Sequence, residues 1–291
     1  MSTATYDLTG KVVLITGGNG GIGAATGREL LTRGARLVVA DVDPETPRRV
    51  AALDSDRAIG CVADVRDQSS LDRAVARAVD RFGGLDIVVA NAGLLVEAAT
   101  LRNTPVTDVA TTLAVNVMGV VHTVAAGMEE VIRNRGQVVL ISSVYAFING
   151  MGNIPYAMSK AAVEQLGRGL RIELADHGAS VLTAYFSFVD THMIHHRVDS
   201  DDVLTELFGS LPKPLVARIS PATAAIAIAD GLQQRSPRVI SPARWRPLSG
   251  LRGLLGPAVD AHFARNRRTL DILAQLDGRV HSHADSNGTL I

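Results

Sequence analysis

Cysteine and lysine are scarce in this sequence, and neither sign of charge predominates. The single cysteine, Cys61, excludes a disulfide framework and a cysteine-rich metal site. It falls in an apolar, strand-like run, where a buried, inert thiol is the plain reading. Formal net charge is zero, from 29 basic and 29 acidic side chains, so nothing points to nucleic acid as a partner. No uninterrupted apolar run reaches the length needed to span a bilayer. The polar stretch Met1 to Thr9 lacks the apolar core of a signal peptide. A soluble, cytoplasmic protein is the expectation. Lysine occurs only at Lys11, Lys160 and Lys213, so a lysine placed inside a motif is harder to dismiss as accident.

What is present is a chain of 291 residues, 47% apolar and 20% charged, long enough to bury a sizeable core. Short β-branched runs alternate with longer helical patterns from residue 11 to about 240. The strand candidates are Val12–Ile15, Leu37–Ala40, Ile59–Val62, Ile87–Ala90, Val138–Ile141, Val181–Tyr185 and Arg238–Ile240. Several are continuously apolar, as parallel strands covered on both faces must be. Asp43 and Pro44 read as the cap and first residue of one helix. Thr104 and Pro105 read the same way for another, running to about Ile132. The alternation predicts an α/β fold, a doubly wound parallel sheet of about seven strands with helices on both faces.

Three groups of residues carry chemistry. The first strand runs into Thr16-Gly-Gly-Asn-Gly-Gly-Ile-Gly23, in which Gly17, Gly21 and Gly23 allow a tight turn and a close approach to a pyrophosphate at a helix N-terminus. Asn19 and Ile22 lie in the same loop. A tight β-to-α turn is the bland alternative, and the strand-then-helix context argues against it. At the end of the second strand, Asp41 is placed to accept hydrogen bonds from an adenosine ribose and to repel a 2′-phosphate, which favours NAD over NADP. Tyr156 and Lys160 stand at i and i+4, on one face of a helix. A tyrosine titrates near ~10, and an adjacent ammonium is expected to bring that value down towards the working range. Ser143, upstream, is positioned to hydrogen-bond the same substrate oxygen. Alone, such a pair is more often a packed ring beside a solvated amine.

With these residues in order, the chain resembles the short-chain dehydrogenase/reductase family over about residues 8–240. The resemblance implies that Asp64 and Val65 meet the adenine and that Asn91, Ala92 and Gly93 close the cofactor site. It implies that Asn116 helps hold a water in a proton relay and that Ser143 positions the substrate oxygen. It makes Tyr156 the acid/base, and Lys160 a ligand of the nicotinamide ribose that also lowers the tyrosine pKa. Val189 and Thr191 would bind the nicotinamide side. Where the family has Pro-Gly after the sixth strand, this chain has Phe186-Ser187. A phenyl ring beside the cofactor pocket and a restricted backbone are expected there.

Residues 192–216 are expected to form an apolar substrate lid, with Met193 and Phe208 among its lining residues. Tyr145, Phe147, Ile148, Met151 and Ile154 are candidates for the same cavity. His192, His195 and His196 invite a metal reading, but the chemistry needs no metal, and a solvated or substrate-edge cluster is preferred. Residues 241–291 form an extension whose Trp245, Leu248, Leu251, Leu254, Leu255 and Phe263 must cover something. A helix from about Pro257 to Leu276 is expected, then a disordered end from Gly278. Packing over the substrate mouth or a second subunit is preferred to membrane contact.

The resulting expectation is an NAD-dependent oxidoreductase interconverting a secondary alcohol and a ketone on an apolar molecule such as a steroid, terpenoid or aryl alcohol. A 3-oxoacyl thioester is the alternative substrate. A non-catalytic NAD-binding regulatory or scaffold protein is the alternative of another class. Ala161, Ala162, Gly167 and Gly169 would let the helix after Tyr156 meet a second copy in a homo-oligomer, a tetramer or a dimer.

Overall fold

The computed structural model describes residues 5–209 and 211–279. Among them, seven parallel strands form one sheet in the order β3-β2-β1-β4-β5-β6-β7. The strands are β1 (Val12–Thr16), β2 (Arg36–Asp41), β3 (Ala58–Val62), β4 (Ile87–Ala90), β5 (Gln137–Ser143), β6 (Ser180–Phe186) and β7 (Arg238–Ser241). All seven contain the runs expected from the sequence. β1, β4 and β5 are buried along their whole lengths, as strands with helices on both sides must be.

Alternate residues feed two cores. Leu14, Val38, Val88 and Leu140 pack on one face with α3 (Gln68–Phe82), α5 (Gly119–Arg133) and α6 (Ile154–Glu173). Val13, Leu37, Val89 and Leu182 pack on the other with α1 (Gly21–Thr32) and α10 (Pro221–Gln233). Strand order reverses between β1 and β4, so a crevice opens at the carboxyl ends of the strands there. Residues from Thr16, Asp41, Ala90, Ser143 and Phe186 onward all emerge at that end.

Several local expectations are corrected. The helix after β2 is α2 (Thr46–Ala51); Asp43 forms a turn ahead of it by accepting the Glu45 N–H at 2.9 Å, so Pro44 precedes the helix. Thr104 caps nothing, because its hydroxyl donates to Thr100 O at 2.9 Å, and α4 starts at Val106 (Val106–Leu113). A π turn at Ala114–Met118 joins α4 to α5. The continuous helix Val106–Arg133 is long and apolar enough to cross a bilayer by length and composition, yet it packs against α3, α6 and the sheet. Gly167 faces the sheet: a Cβ there would stand 2.3 Å from Thr183 Oγ1, so it lets α6 sit close on the strands. Space around Gly169 is open.

The lid region holds α7 (His192–Ile194), α8 (Asp202–Gly209) and α9 (Lys213–Val216). The extension contains two helices instead of one, α11 (Arg246–Phe263) and α12 (Arg267–Asp277). Pro257 lies inside α11 and does not start it. Asn266 caps α12 by accepting the Thr269 N–H at 3.0 Å. Trp245 is buried, as expected, whereas Leu251, Leu254 and Leu255 face outward. Polar links, Arg252 to Glu164 at 2.7 Å and Asn149 to Asp260 at 2.8 Å, help hold α11 on the surface. Residues 1–4 of the polar N-terminus, and the expected disordered end from Val280 on, lie outside the described residues.

Candidate active site

The glycine loop is packed too tightly for any side chain at two of its positions. Gly17 has φ +64°, and a Cβ on it would lie 2.8 Å from Ala92 Cα. A Cβ on Gly23 would lie 2.3 Å from Gly17 O and 2.6 Å from Asn91 Nδ2. Asn91 donates from Nδ2 to Thr16 O at 3.0 Å and Gly17 O at 2.9 Å, so it shapes the loop from β4. Asp41 is buried at the end of β2 and accepts the Asn19 N–H at 3.0 Å, while Asn19 Nδ2 donates to Thr46 Oγ1 at 2.7 Å. Asp64 is held by the Arg66 guanidinium, which keeps its carboxyl below the usual range. Val65 O meets His122 Nδ1 at 2.8 Å.

A cleft of about 900 Å³, partly open to solvent, runs from Gly17, Gly21 and Ile22 past Asn91, Ala92 and Gly93 to Ser143, Tyr156 and Lys160. Val189 and Thr191 line its far wall. Asn19, Gly23, Asp41, Asp64 and Val65 are not in this wall. A glycine cradle that a Cβ would fill, continuous with an apolar slot, fits a dinucleotide with its pyrophosphate at the loop.

Tyr156 stands on α6 with Lys160 one turn on. Lys160 Nζ lies 5.4 Å from the Tyr156 ring centroid and donates to Ile141 O at 3.0 Å. Tyr145 packs edge-on to Tyr156 at 5.5 Å. Burial pushes Tyr156 up to about 12, against the pull of the Ser143 hydroxyl. Burial also brings Lys160 down to about 8. The expectation that Lys160 lowers the tyrosine is therefore corrected here. Its ammonium is turned to a carbonyl, and loss of solvation outweighs it. Ser143 Oγ donates to Phe186 O at 3.2 Å.

Asn116 does not line the cleft. It is fully buried behind Gly93: Oδ1 accepts the Leu94 N–H at 2.8 Å, and Nδ2 donates to Leu94 O at 2.9 Å and Ser159 Oγ at 3.1 Å. Its side chain fixes the exit of β4 against α6. Phe186 borders the cleft, as expected, while also packing in the core with Ala184 and Ile228. Ser187 takes no positive φ, so serine is tolerated in place of glycine.

A second cavity of about 580 Å³, also partly open, adjoins Ser143 and Tyr156. Tyr145, Met151, Met193 and Phe208, all expected from the sequence, line it. Phe147 and Ile148 do not; they pack around Trp245, with the Phe147 and Trp245 rings 6.3 Å apart. Ile154 is also outside the wall. His195 is engaged by Asp190 at 3.1 Å and Asp199 at 2.8 Å, and the His192 and His196 rings are 3.8 Å apart.

The extension backs the lid, in line with the preferred packing over the substrate mouth, but through α12 residues not singled out in the sequence. Ile272 and Leu276 of α12 pack on Leu204 and Leu207 of α8. Arg279 holds Asp201 at 2.6 and 2.7 Å, and Asp277 takes Arg102 at 2.9 Å. The amphipathic face of α12 was the one available signal. Each buried aliphatic side chain contributes roughly 2 kcal/mol. Deleting residues 267–291 is thus expected to raise the substrate KM at least ~tenfold, since 1.4 kcal/mol is one decade. NAD affinity should stay within about twofold, because no cofactor-loop residue touches α12. Steady-state kinetics and NAD titration of the truncation check this; unchanged KM would refute it.

A family model described as short chain dehydrogenase matches residues 11–202. The 2-(R)-hydroxypropyl-CoM dehydrogenase of Xanthobacter autotrophicus is 27% identical over 228 residues, 76% of this chain and 91% of that protein. The (2S)-[(R)-hydroxy(phenyl)methyl]succinyl-CoA dehydrogenase subunit BbsD of Thauera aromatica is 34% identical over 195 residues, 66% of this chain and 78% of that protein. Among solved structures, a 3-ketoacyl-(acyl-carrier-protein) reductase from Brucella melitensis, complexed with NADH, superposes with a TM-score of 0.72 at 24% identity. It covers 80% of this chain and 97% of that one.

Proposed function

The chain belongs to the short-chain dehydrogenase family, an oxidoreductase family acting on alcohols, and we propose that it interconverts a secondary alcohol and a ketone on a largely apolar molecule with NAD. The observation that carries this reading is the meeting of two cavities at Ser143 and Tyr156, one glycine-floored and one apolar. Nicotinamide, when bound, supplies hydride acceptance and donation at its C4. The chain supplies the proton and the positioning. Ser143 holds the substrate oxygen from the β5 end. Tyr156, a phenol at neutral pH with its value near about 12, is set to protonate an alkoxide as the ketone is reduced. In oxidation it must first lose that proton, and burial makes that loss costly. Gly17, Asn19, Gly21, Ile22 and Gly23 would hold the pyrophosphate end. Asp41, Asp64 and Val65 would hold the adenosine end. Asn91, Ala92, Gly93, Lys160, Val189 and Thr191 would hold the rest.

The apolar walls of the second cavity favour a steroid, terpenoid or aryl alcohol. The relatives named above give weight to a second reading, a 3-oxoacyl or other thioester. Exposed Val106, Met118, Met158 and Ile172 on α4, α6 and the π turn support a homo-oligomer built on these helices. Turnover of a panel of secondary alcohols with NAD tests the oxidoreductase reading, and NAD binding with no turnover of any of them would favour a scaffold. Asp41, buried where a ribose would lie, leads us to expect NAD to bind at least ~tenfold more tightly than NADP, a carboxylate repelling a phosphate there. Asp41→Ala should narrow the ratio. Equal affinities in the wild-type protein would refute it.

A further inference from the structure

Asn153 sits immediately before α6, at the position where asparagine ordinarily caps a helix by accepting an N–H of the first turn. It makes no such bond. Its side chain is instead buried, with 6% exposure, in the wall of the apolar cavity beside Tyr156. Nδ2 donates to Val96 O at 3.3 Å, which fixes which end of the amide carries the free oxygen. Oδ1 has no hydrogen-bond partner among the described residues. A buried acceptor without a donor is costly, and a hydroxyl arriving in the cavity would relieve that cost. The rest of this wall is apolar apart from Ser143, Tyr145, Tyr156 and Ser187, and Ser143 and Tyr156 are already assigned to the reacting oxygen.

Resting on the oxidoreductase reading above, we propose that Asn153 Oδ1 is a specificity-determining acceptor for a second hydroxyl on the substrate. The substrate class is then an apolar diol or hydroxy-ketone, not a simple mono-alcohol. Asn153 precedes Tyr156 by one helical turn, with Cβ atoms roughly 5–6 Å apart at that spacing. The second hydroxyl therefore sits a few bonds from the reacting carbon. A mono-alcohol of the same skeleton leaves the amide oxygen buried and unpaired, and this is the basis of discrimination.

Cyclohexanol and the 1,2-, 1,3- and 1,4-cyclohexanediols provide the test. Each is titrated calorimetrically into NAD-saturated protein, beside measurements of kcat/KM. At least one diol is expected to bind about tenfold or more tightly than cyclohexanol, as a site built around a buried acceptor requires. Asn153→Leu should abolish that preference, because the acceptor is lost along with the Nδ2 bond to Val96 O. Wild-type protein that binds every diol no more tightly than cyclohexanol overturns the proposal, as does a preference that survives in Asn153→Leu. If the leucine variant does not fold, the wild-type series decides. Absence of turnover with all four alcohols counts against the oxidoreductase reading alone, and the binding data still judge Asn153.

Discussion

Tyr156→Phe should reduce kcat by about a thousandfold while NAD affinity stays within about twofold, in keeping with the 10²–10⁴ that a positioned acid/base contributes. The ring is retained, so its edge contact with Tyr145 at 5.5 Å and its place beside Lys160 survive. Only the hydroxyl is removed, together with its link to Ser143. A fall in kcat without a change in cofactor binding separates loss of proton transfer from loss of structure. A variant that kept more than about a tenth of the wild-type rate would show that another group moves the proton.

Gly23→Ala should weaken NAD binding by about a hundredfold, although it adds one methyl group far from the reacting atoms. That methyl would stand 2.3 Å from Gly17 O and 2.6 Å from Asn91 Nδ2. Backbone must move to admit it, and the bonds from Asn91 to Thr16 O and Gly17 O are the ones that yield. Overpacking of this kind costs about 1–3 kcal/mol, up to about two decades in affinity when it falls on the binding loop. Global melting should change little, since the sheet and both cores are untouched. NAD affinity within about twofold of wild type would mean that the loop does not hold the pyrophosphate.

The strands were legible because burial on both faces leaves an unbroken apolar run, which β1, β4 and β5 show plainly. The Gly17–Gly23 loop and the Tyr156–Lys160 spacing were legible because local geometry alone sets them. Helix starts were not. Asp43 and Thr104 both carry capping chemistry, but each is diverted to a turn that depends on the neighbouring backbone. The direction of the Tyr156 shift was hidden as well, because burial sets it, and burial exists only once the chain is packed. Contacts distant in sequence escaped entirely. Asp277 reaches Arg102 across 175 residues, and nothing local in either segment announces it. Asn153 was not singled out in the sequence, and only its burial and unpaired oxygen set it apart.

The central claim is that this chain passes hydride directly between a carbinol carbon and nicotinamide, with Tyr156 handling the proton. The most direct measurement uses the best-turned-over secondary alcohol of the panel, deuterated at its carbinol carbon, with NAD and the wild-type protein. Mass spectrometry of the recovered cofactor then reads whether deuterium has arrived on the nicotinamide. The expected result is one deuterium per reduced cofactor, with transfer nearly absent in Tyr156→Phe. Reduced cofactor without deuterium, or no reduction by any alcohol of the panel, would contradict the account.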